Sequence, residues 1–306
     1  MPARSMAVHA RCRARRVSAI AADALPLPGR SVYSGHACDG DRMATTTKEP
    51  PLRVDGKDFV AGLANGLAVL KAFDSGRERM TQSEVASATG LTRPTARRSL
   101  LTLQALGYVQ ADAHNRYLLA PRVLELASGY LGSENPWLGI AQPYLLDLRD
   151  TLNENVSLSI LDGEDVVYIS SYPADRDISL NVRLGDRRPA YATAMGRVLL
   201  AQMPEEEALR VLEGSDRRAL TPQTVTDVDA LMAAVAAARA ADSSVIDGEL
   251  EAGLVAVAVP VRNARGHVLA ALNICGHSIQ SPVEHLVEVA LPEARRVARR
   301  LAEVLP

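Results

Sequence analysis

Residues 81–118, TQSEVASATGLTRPTARRSLLTLQALGYVQADAHNRYL, constrain the fold more than any other stretch of this 306-residue chain. Thr81 and Glu84 have the spacing of a reciprocal N-terminal cap, so a helix is expected to start at Thr81. Gly90 supplies the left-handed backbone that stops it sharply. Thr92 then caps a second helix, whose first turn tolerates Pro94. Ala96, Leu100 and Leu103 recur at i, i+4 and i+7 and give this second helix one buried stripe. Small Ala86 and Gly90 let the two helices cross closely. Beyond them, Tyr108-Val109, a polar tip at Asp112–Asn115 and Arg116-Tyr117-Leu118 alternate as a β-hairpin does. A helix pair followed by such a hairpin is a winged helix-turn-helix.

The side of the second helix away from its buried stripe carries Arg93, Thr95, Arg97, Arg98 and Thr102, with Thr92 at its start. An arginine-rich helix face is often no more than a solvated surface. Presented by a helix-turn-helix, however, arginines and short hydroxyls suit the major groove, where they read guanine edges and grip phosphates. Arg116 is expected where the wing meets the DNA backbone or minor groove. Upstream, FVAGLANGLAVLKAF (59–73) reads as the first helix of this domain, with Leu63, Leu67, Leu70 and Phe73 packing under the helix pair. Downstream, PRVLELASGYL from Pro121 reads as a helix leading out of it. Val123, Leu124, Ala127 and Leu131 fit either a domain core or a subunit contact.

The formal net charge of −2 conceals an asymmetry. Residues 58–130 hold eight Lys/Arg against six Asp/Glu, whereas residues 131–306 hold sixteen against twenty-five. Phosphate attraction is thus confined to one end of the molecule, and is weak enough there that affinity should depend on dimerisation. Cys12, Cys38 and Cys275 are few and scattered, which argues against a disulfide framework and fits a reducing cytoplasm. No run of 18 or more apolar residues exists, so no transmembrane helix is expected. Residues 1–57 are rich in Arg, Ala, Ser, Gly and Pro and lack any sustained period. They read as a disordered extension or as translated sequence upstream of a start at Met43. An Arg-rich transit peptide is compositionally possible, but nothing downstream calls for one, and no apolar run supports a secretory signal.

From about Trp137 the pattern alternates. A helix (PYLLDLRDTL) precedes strands NVSLSILD and EDVVYISSY, separated by the turn signal Asp162-Gly163. A strand at ISLNVR (178–183) comes next, then helices at TAMGRVLLAQM, PEEEALRVLE and DVDALMAAVAAARAAD. Strands GLVAVAVPVR and GHVLAALNICG and a long helix from Pro282 to Leu305 complete the chain. Paired strands flanked by helices indicate an α+β arrangement. Tyr191–Gly196 forms a loop-to-helix junction. With Thr193 as cap, its free N–H groups and helix dipole would suit a carboxylate, Ala194 and Gly196 letting a ligand come close; a tightly packed helix start is the alternative. Arg183 and Arg187, just upstream, are either carboxylate partners or exposed loop arginines. Cys275 and His277 share a strand face, but two ligands are too few for a structural zinc site, and no metal or cofactor is expected.

Four landmarks in order, GLAVLKAFD (66–74), SEVASATGLTRPTARRSLLTLQALGYV (83–109), RRPAYATAMGRVLLA (187–201) and GLVAVAVPVRNARGHVLAALNICG (253–276), resemble the IclR family of bacterial transcription regulators. The resemblance runs from about Phe59 to the C-terminus and departs from the family in the long N-terminal extension. It implies a winged helix-turn-helix domain (58–120), a linker helix (121–136) and a GAF-like effector-binding domain (137–306), assembled as homodimers or homotetramers. ATAMGRVLLA and LPEARRVARRLAEVL are most similar to the subgroup controlling protocatechuate, 4-hydroxybenzoate and β-ketoadipate breakdown, whose members often activate transcription and so meet RNA polymerase. In the family the ligand lies between the helix at Ala194 and the inner sheet face. By position that implicates Tyr191, Ala194, Met195 and Gly196, Leu254 and Ala256 on one strand, and Asn273 and Cys275 on another. Some members bind a metal in this domain.

The partners expected are therefore operator DNA and a small carboxylic acid, in the bacterial cytoplasm and without a membrane. A repressor of another small-acid pathway, of the glyoxylate or acetate type, is the nearest alternative. Further alternatives are a small-acid hydrolase with an accessory DNA-binding head and a DNA-binding protein that answers to no ligand. No GxSxG, HExxH, GxxxxGK[ST] or GxGxxG motif supports the hydrolase.

Overall fold

The computed structural model describes residues 57–74, 76–176 and 182–306. The N-terminal extension and most of the expected strand at ISLNVR lie outside the described residues. The first group of elements is α1 (Ala61–Lys71), α2 (Gln82–Thr89), α3 (Arg93–Ala105), β1 (Val109–Ala111) and β2 (Tyr117–Leu119). The ends of α2 and α3 form for the reasons their sequence gives. Thr81 N–H donates to Glu84 Oε2 at 2.6 Å while Thr81 Oγ1 accepts from Glu84 N–H at 3.3 Å, a closed capping box. Gly90 ends α2 at φ 68°, in the left-handed region. Thr92 then caps α3 by accepting from Thr95 N–H at 3.4 Å. Ala96, Leu100 and Leu103 are buried among Val69, Met80, Val85 and Val109, as their spacing requires.

The first helix departs from expectation. Val69 and Ala72 are its buried residues and Leu70 and Phe73 are half-buried beside them, whereas Leu63 and Leu67 are 64% and 49% exposed. At 100° per residue, Leu63 and Leu67 lie roughly 120–160° around the helix from Val69. Packing against α3 selects the Val69 side, and the leucine stripe is left on a flank.

In the wing, Val109 pairs with Leu119 and Ala111 with Tyr117. Asp112 Oδ1 accepts from the N–H groups of His114 and Arg116, at 2.9 and 3.0 Å, and so shapes the tip. Met80 bridges to Tyr117 and adds a third edge to the ladder.

Then come α4 (Val123–Gly129), a π-helical turn (Tyr130–Glu134) and α5 (Trp137–Leu152). No residue of α4 is buried, and Leu124 and Leu126 are exposed, so among the described residues its apolar positions are not part of a core.

The remaining strands are β3 (Asn155–Asp162), β4 (Asp165–Tyr172), β5 (Arg187–Pro189), β6 (Ser244–Asp247), β7 (Leu254–Arg262) and β8 (Val268–His277). They form an antiparallel sheet in the order β5-β4-β3-β8-β7-β6. β5 and β6 are short edge strands that the sequence pattern did not single out. The helices of this part are α6 (Ala194–Leu200), α7 (Glu205–Gly214), α8 (Val228–Ala241), α9 (Val283–His285) and α10 (Leu291–Val304).

Both faces of the sheet are covered. Val156, Leu158, Val257, Leu272 and Ile274 pack on one face with Leu145 and Leu148 of α5 and Val297 and Leu301 of α10. Leu161, Val166, Ala256, Ala258 and Ala271 pack on the other with Met195 and Val198 of α6 and Leu231 and Val235 of α8. The expected long C-terminal helix is interrupted by a π turn, Leu286–Ala290, between α9 and α10. That turn lies just ahead of Pro292, which has no N–H for the Glu288 carbonyl and crowds it with its ring. Among the described residues no helix is long and apolar enough to cross a membrane.

Candidate functional site

The α3 surface divides into two flanks. Arg93 and Arg97 lie on one. Thr95, Arg98 and Thr102 lie on the other, where they line a groove of about 740 Å³ with Leu63, Leu67 and Leu70 of α1. Arg93, Arg97 and Arg98 are all exposed, and their guanidinium groups make no hydrogen bond or ion pair among the described residues.

The short hydroxyls are committed locally. Thr92 and Thr95 pair their hydroxyls at 2.9 Å, and Thr102 Oγ1 donates to the Arg98 carbonyl at 2.9 Å. Arg116 differs from the helix arginines: its Nη2 donates to the Arg79 carbonyl at 2.7 Å. It therefore ties the wing to the strand bridge ahead of α2.

In the second part of the chain a small cavity lies between α6 and the sheet. It is lined by Tyr168, Val182, Arg188, Thr193, Ala194, Met195, Ile246, Leu250, Glu251, Leu254, Ala256, Asn273 and Cys275. Its volume is about 40 Å³, room for two or three waters. The structure thus brings together Ala194, Met195, Leu254, Ala256, Asn273 and Cys275 of the residues singled out from sequence. Arg183, Arg187, Tyr191 and Gly196 lie outside the lining.

Each of those four has a physical reason. The Arg187 guanidinium donates to Asp162 Oδ2 at 2.7 Å and to Asp165 Oδ2 at 3.0 Å, and burial of its stem is outweighed by these carboxylates, which raise its pKa further. Arg183 is exposed, with its backbone N–H on Asp186 Oδ2. Tyr191 is buried and donates its hydroxyl to the Arg218 carbonyl at 2.8 Å. Gly196 is small for α6's own sake: a Cβ there would overlap the Ala190 carbonyl oxygen and stand 2.6 Å from its carbon. Its N–H is taken by Thr193 Oγ1 at 3.1 Å.

The arginine that does reach the cavity is Arg188. It pairs across the ladder with Val166, whose side chain belongs to the cavity face, whereas Arg187 pairs with Val167. Neighbouring residues on a strand face opposite ways, and only the register with β4 decides which of the two points inward.

Tyr168 was likewise not singled out. Its hydroxyl makes no hydrogen bond among the described residues, and burial holds its pKa far above the ordinary phenol value, so it is a neutral donor. Burial also pushes the Cys275 thiol up to about 12, against the lowering effect of a side-chain hydrogen bond from Asn273, so this sulfur is an uncharged wall. Among the described residues no cluster of three or more metal-ligating side chains occurs.

One wall of the cavity is the loop after β6, which carries Leu250 and Glu251. A buried ion pair fixes it: Arg197 of α6 donates to both Glu249 oxygens, at 2.7 and 2.5 Å. Thr221 and Thr224 donate their hydroxyls to the carbonyls of Gly248 and Glu249, each at 2.6 Å.

A helix-turn-helix with free arginines, joined in one chain to an α+β part that encloses a lined cavity, is the make-up of a transcriptional regulator. The model of the IclR helix-turn-helix domain matches residues 62–113, and that of the bacterial transcriptional regulator IclR C-terminal matches residues 133–303. The chain belongs to the IclR family. It is similar to the Pca regulon regulatory protein of Pseudomonas putida, 39% identical over 249 residues, 81% of this chain and 85% of that protein. The p-hydroxybenzoate hydroxylase transcriptional activator of Acinetobacter baylyi is 37% identical over 254 residues, covering 81% and 93%. Among solved structures, an IclR homolog from Microbacterium hydrocarbonoxydans complexed with 4-hydroxybenzoate aligns with a TM-score of 0.69 at 26% identity, over 79% of this chain and 98% of that one.

Proposed function

We propose that this chain binds operator DNA through α3 and the wing, and that a small aromatic or keto acid in the cavity below α6 governs that binding. The observation that carries the DNA assignment is the trio of exposed, unpartnered guanidinium groups on a helix capped at Thr92 and held by a closed helix-turn-helix. In this reading Arg93 and Arg97 contact bases or phosphates. Arg98, Thr95 and Thr102 face the second flank, Thr92 fixes the helix start, and Arg116 holds the wing in place for the backbone. The domain division is taken as 58–120, with 121–136 as linker and 137–306 as the effector-binding part. Leu63, Leu67, Leu124 and Leu126, exposed on α1 and α4, are assigned to the contact between protomers of a dimer or tetramer.

The effector assignment follows from the relatives that regulate Pca and p-hydroxybenzoate genes and from the homolog that holds 4-hydroxybenzoate. Arg188 replaces Arg187 and Arg183 as the carboxylate partner, with Tyr168 as neutral donor beside it. Ala194, Met195, Leu254, Ala256, Asn273 and Cys275 form the walls. The protein acts in the cytoplasm, as a regulator and not as an enzyme, and reaches RNA polymerase where it activates. A ring does not fit the present volume, so the cavity must widen on binding. The ligand then shifts the DNA-competent population only in so far as it prefers one arrangement.

The test is anisotropy titration of labelled DNA from the region upstream of the gene. Arg93→Ala and Arg97→Ala should each weaken specific binding by about 1–3 kcal/mol. Unchanged affinity in both variants removes α3 as the reading helix. A thermal-shift series with protocatechuate, 4-hydroxybenzoate, β-ketoadipate and glyoxylate tests the cavity, and no shift with any acid removes the effector assignment.

A further inference from the structure

We propose that a groove at the open edge of the sheet, between the end of α8 and helix α10, binds a small organic molecule through a doubly charged phosphate group. The groove shares no residue with the cavity below α6. Strand β6 pairs with β7 only as far as Ala258, opposite Ser244. From Val259 to Arg262 the outer edge of β7 has no strand beside it among the described residues, and Pro260 there has no N–H to leave unpaired. Val259 and Pro260 form one side of a groove of about 320 Å³, large enough for a small ligand.

On its other side α10 contributes Arg295, Ala298, Arg299 and Ala302, spaced i, i+3, i+4 and i+7 and therefore a single stripe. The two alanines keep the floor low and the two arginines rim it. Arg262 at the end of β7 adds a third guanidinium. Asp242 is the single carboxylate in the lining, so the groove keeps a net charge of +2. Residues 131–306 as a whole hold sixteen basic against twenty-five acidic side chains. Like charges gathered in one groove repel, and an anion between them relieves that repulsion.

Two of the three guanidinium groups are held in place. Asp242 ends α8 in the left-handed region at φ 49°, where glycine or asparagine is usual, and its carboxylate grips Arg262 Nη1 at 2.8 Å and Nη2 at 2.6 Å. Gln202 Oε1 also accepts from Nη2, at 2.9 Å. Arg295 Nη2 donates to the Ala241 carbonyl and to the Ser243 hydroxyl, both at 3.0 Å. A guanidinium has five N–H donors, so two remain on Arg262 and three on Arg295. Arg296 pairs with Glu293 at 2.7 Å, and Arg300 lies over the Tyr144 ring at 5.2 Å. Arg299 is thus the one arginine of α10 without a partner among the described residues, and all five of its donors are free. A phosphate monoester carries close to −2 at neutral pH and offers three oxygens, which matches both the net charge and the donors converging from β7 and α10. A carboxylate supplies half that charge.

Isothermal titration of the full chain with phenyl phosphate and phenyl sulfate, at pH 8 and fixed ionic strength, tests this. The two are close in shape, but the first is a dianion and the second a monoanion. Phenyl phosphate is expected to bind with a Kd below about 1 mM, and about 10-fold or more tighter than phenyl sulfate. Arg299→Ala changes an exposed side chain that the fold does not use, and should weaken phenyl phosphate about 10- to 100-fold. Ala298→Leu keeps every charge but raises the floor, and should weaken it about as much. No binding of phenyl phosphate at about 10 mM overturns the proposal, as does equal binding of the two anions. Undiminished binding in Arg299→Ala puts the anion elsewhere and overturns it too. So does a loss of oligomer in Arg299→Ala by sedimentation velocity, which would give the groove to a carboxylate of a second copy.

Discussion

The Arg197–Glu249 pair offers the sharpest test of how the cavity is held. Both side chains are buried, 6% and 8% exposed, and the guanidinium meets the carboxylate in a two-point fork. Replacing Arg197 with Met keeps the apolar stem and strands a buried carboxylate. Removing one member of such a pair costs about 3–5 kcal/mol, whereas replacing both with apolar residues is often close to neutral. Arg197→Met and Glu249→Leu should therefore each lose about 3–5 kcal/mol, and the double variant should recover most of that loss. Trp137, the chain's single tryptophan, is buried on α5 and reports unfolding of this part by fluorescence. With a urea slope of about 2 kcal/mol/M, each single change moves the midpoint down by roughly 2 M. The loop tied by this pair lines the cavity, so the single variants should also lose aromatic-acid binding. Single losses below about 1 kcal/mol, or additive losses in the double variant, refute the reasoning.

Gly196→Ala places a methyl on the Ala190 carbonyl, with backbone on both sides unable to yield, and should cost at least about 1–3 kcal/mol in thermal unfolding. At pH 8 the Cys275 thiol, pushed up to about 12, has a thiolate fraction near one in ten thousand. Iodoacetamide should leave Cys275 unmodified until denaturant is added, as peptide mass mapping would show. Thr81→Ala removes the α2 cap and should destabilise the helix-turn-helix by about 1 kcal/mol in urea unfolding. Hydrogen bonds from Thr81 hold the Glu84 carboxyl below its usual pKa. The ionised cap therefore contributes above the ordinary carboxylate range, and that contribution is lost as pH falls through the folded value. Between pH 5 and pH 3, Glu84→Gln should lose less melting temperature than the wild type by circular dichroism.

What could be read from the sequence was what short-range chemistry dictates. The Thr81–Glu84 box, the Gly90 stop, the Thr92 cap and the turn at Asp162-Gly163 are each decided within four residues, and the structure has each of them. The buried stripe of Ala96, Leu100 and Leu103 followed from helical period alone. What could not be read depended on neighbours distant in sequence. Leu63 and Leu67 formed as good a stripe as Val69 and Ala72, and only packing against α3 chooses between them. Arg187 and Arg188 are adjacent, and the pairing with Val166 picks the inward one. β5 and β6, of three and four residues, are too short to show alternation and exist because longer strands template their edges. Gly196 looked like room for a ligand because glycine reports close approach without saying of what. The approaching group is the Ala190 carbonyl.

The two covered faces of the sheet carry a consequence for signalling. Helix α5, reached in the chain straight after the N-terminal elements and α4, packs with α10 on the side of the sheet away from the cavity. No α5 side chain lines the cavity. Between the cavity and α5 there is therefore a wall of strands, and the chain joins the two at the corner where α5 turns into β3. At that corner Asn153 takes a left-handed backbone at φ 49°, and Asn155 spans from the Cys275 carbonyl to the Ala174 N–H. The join between cavity floor and outgoing helix is thus one elbow, pinned through Asn155 to both the last strand and the loop after β4.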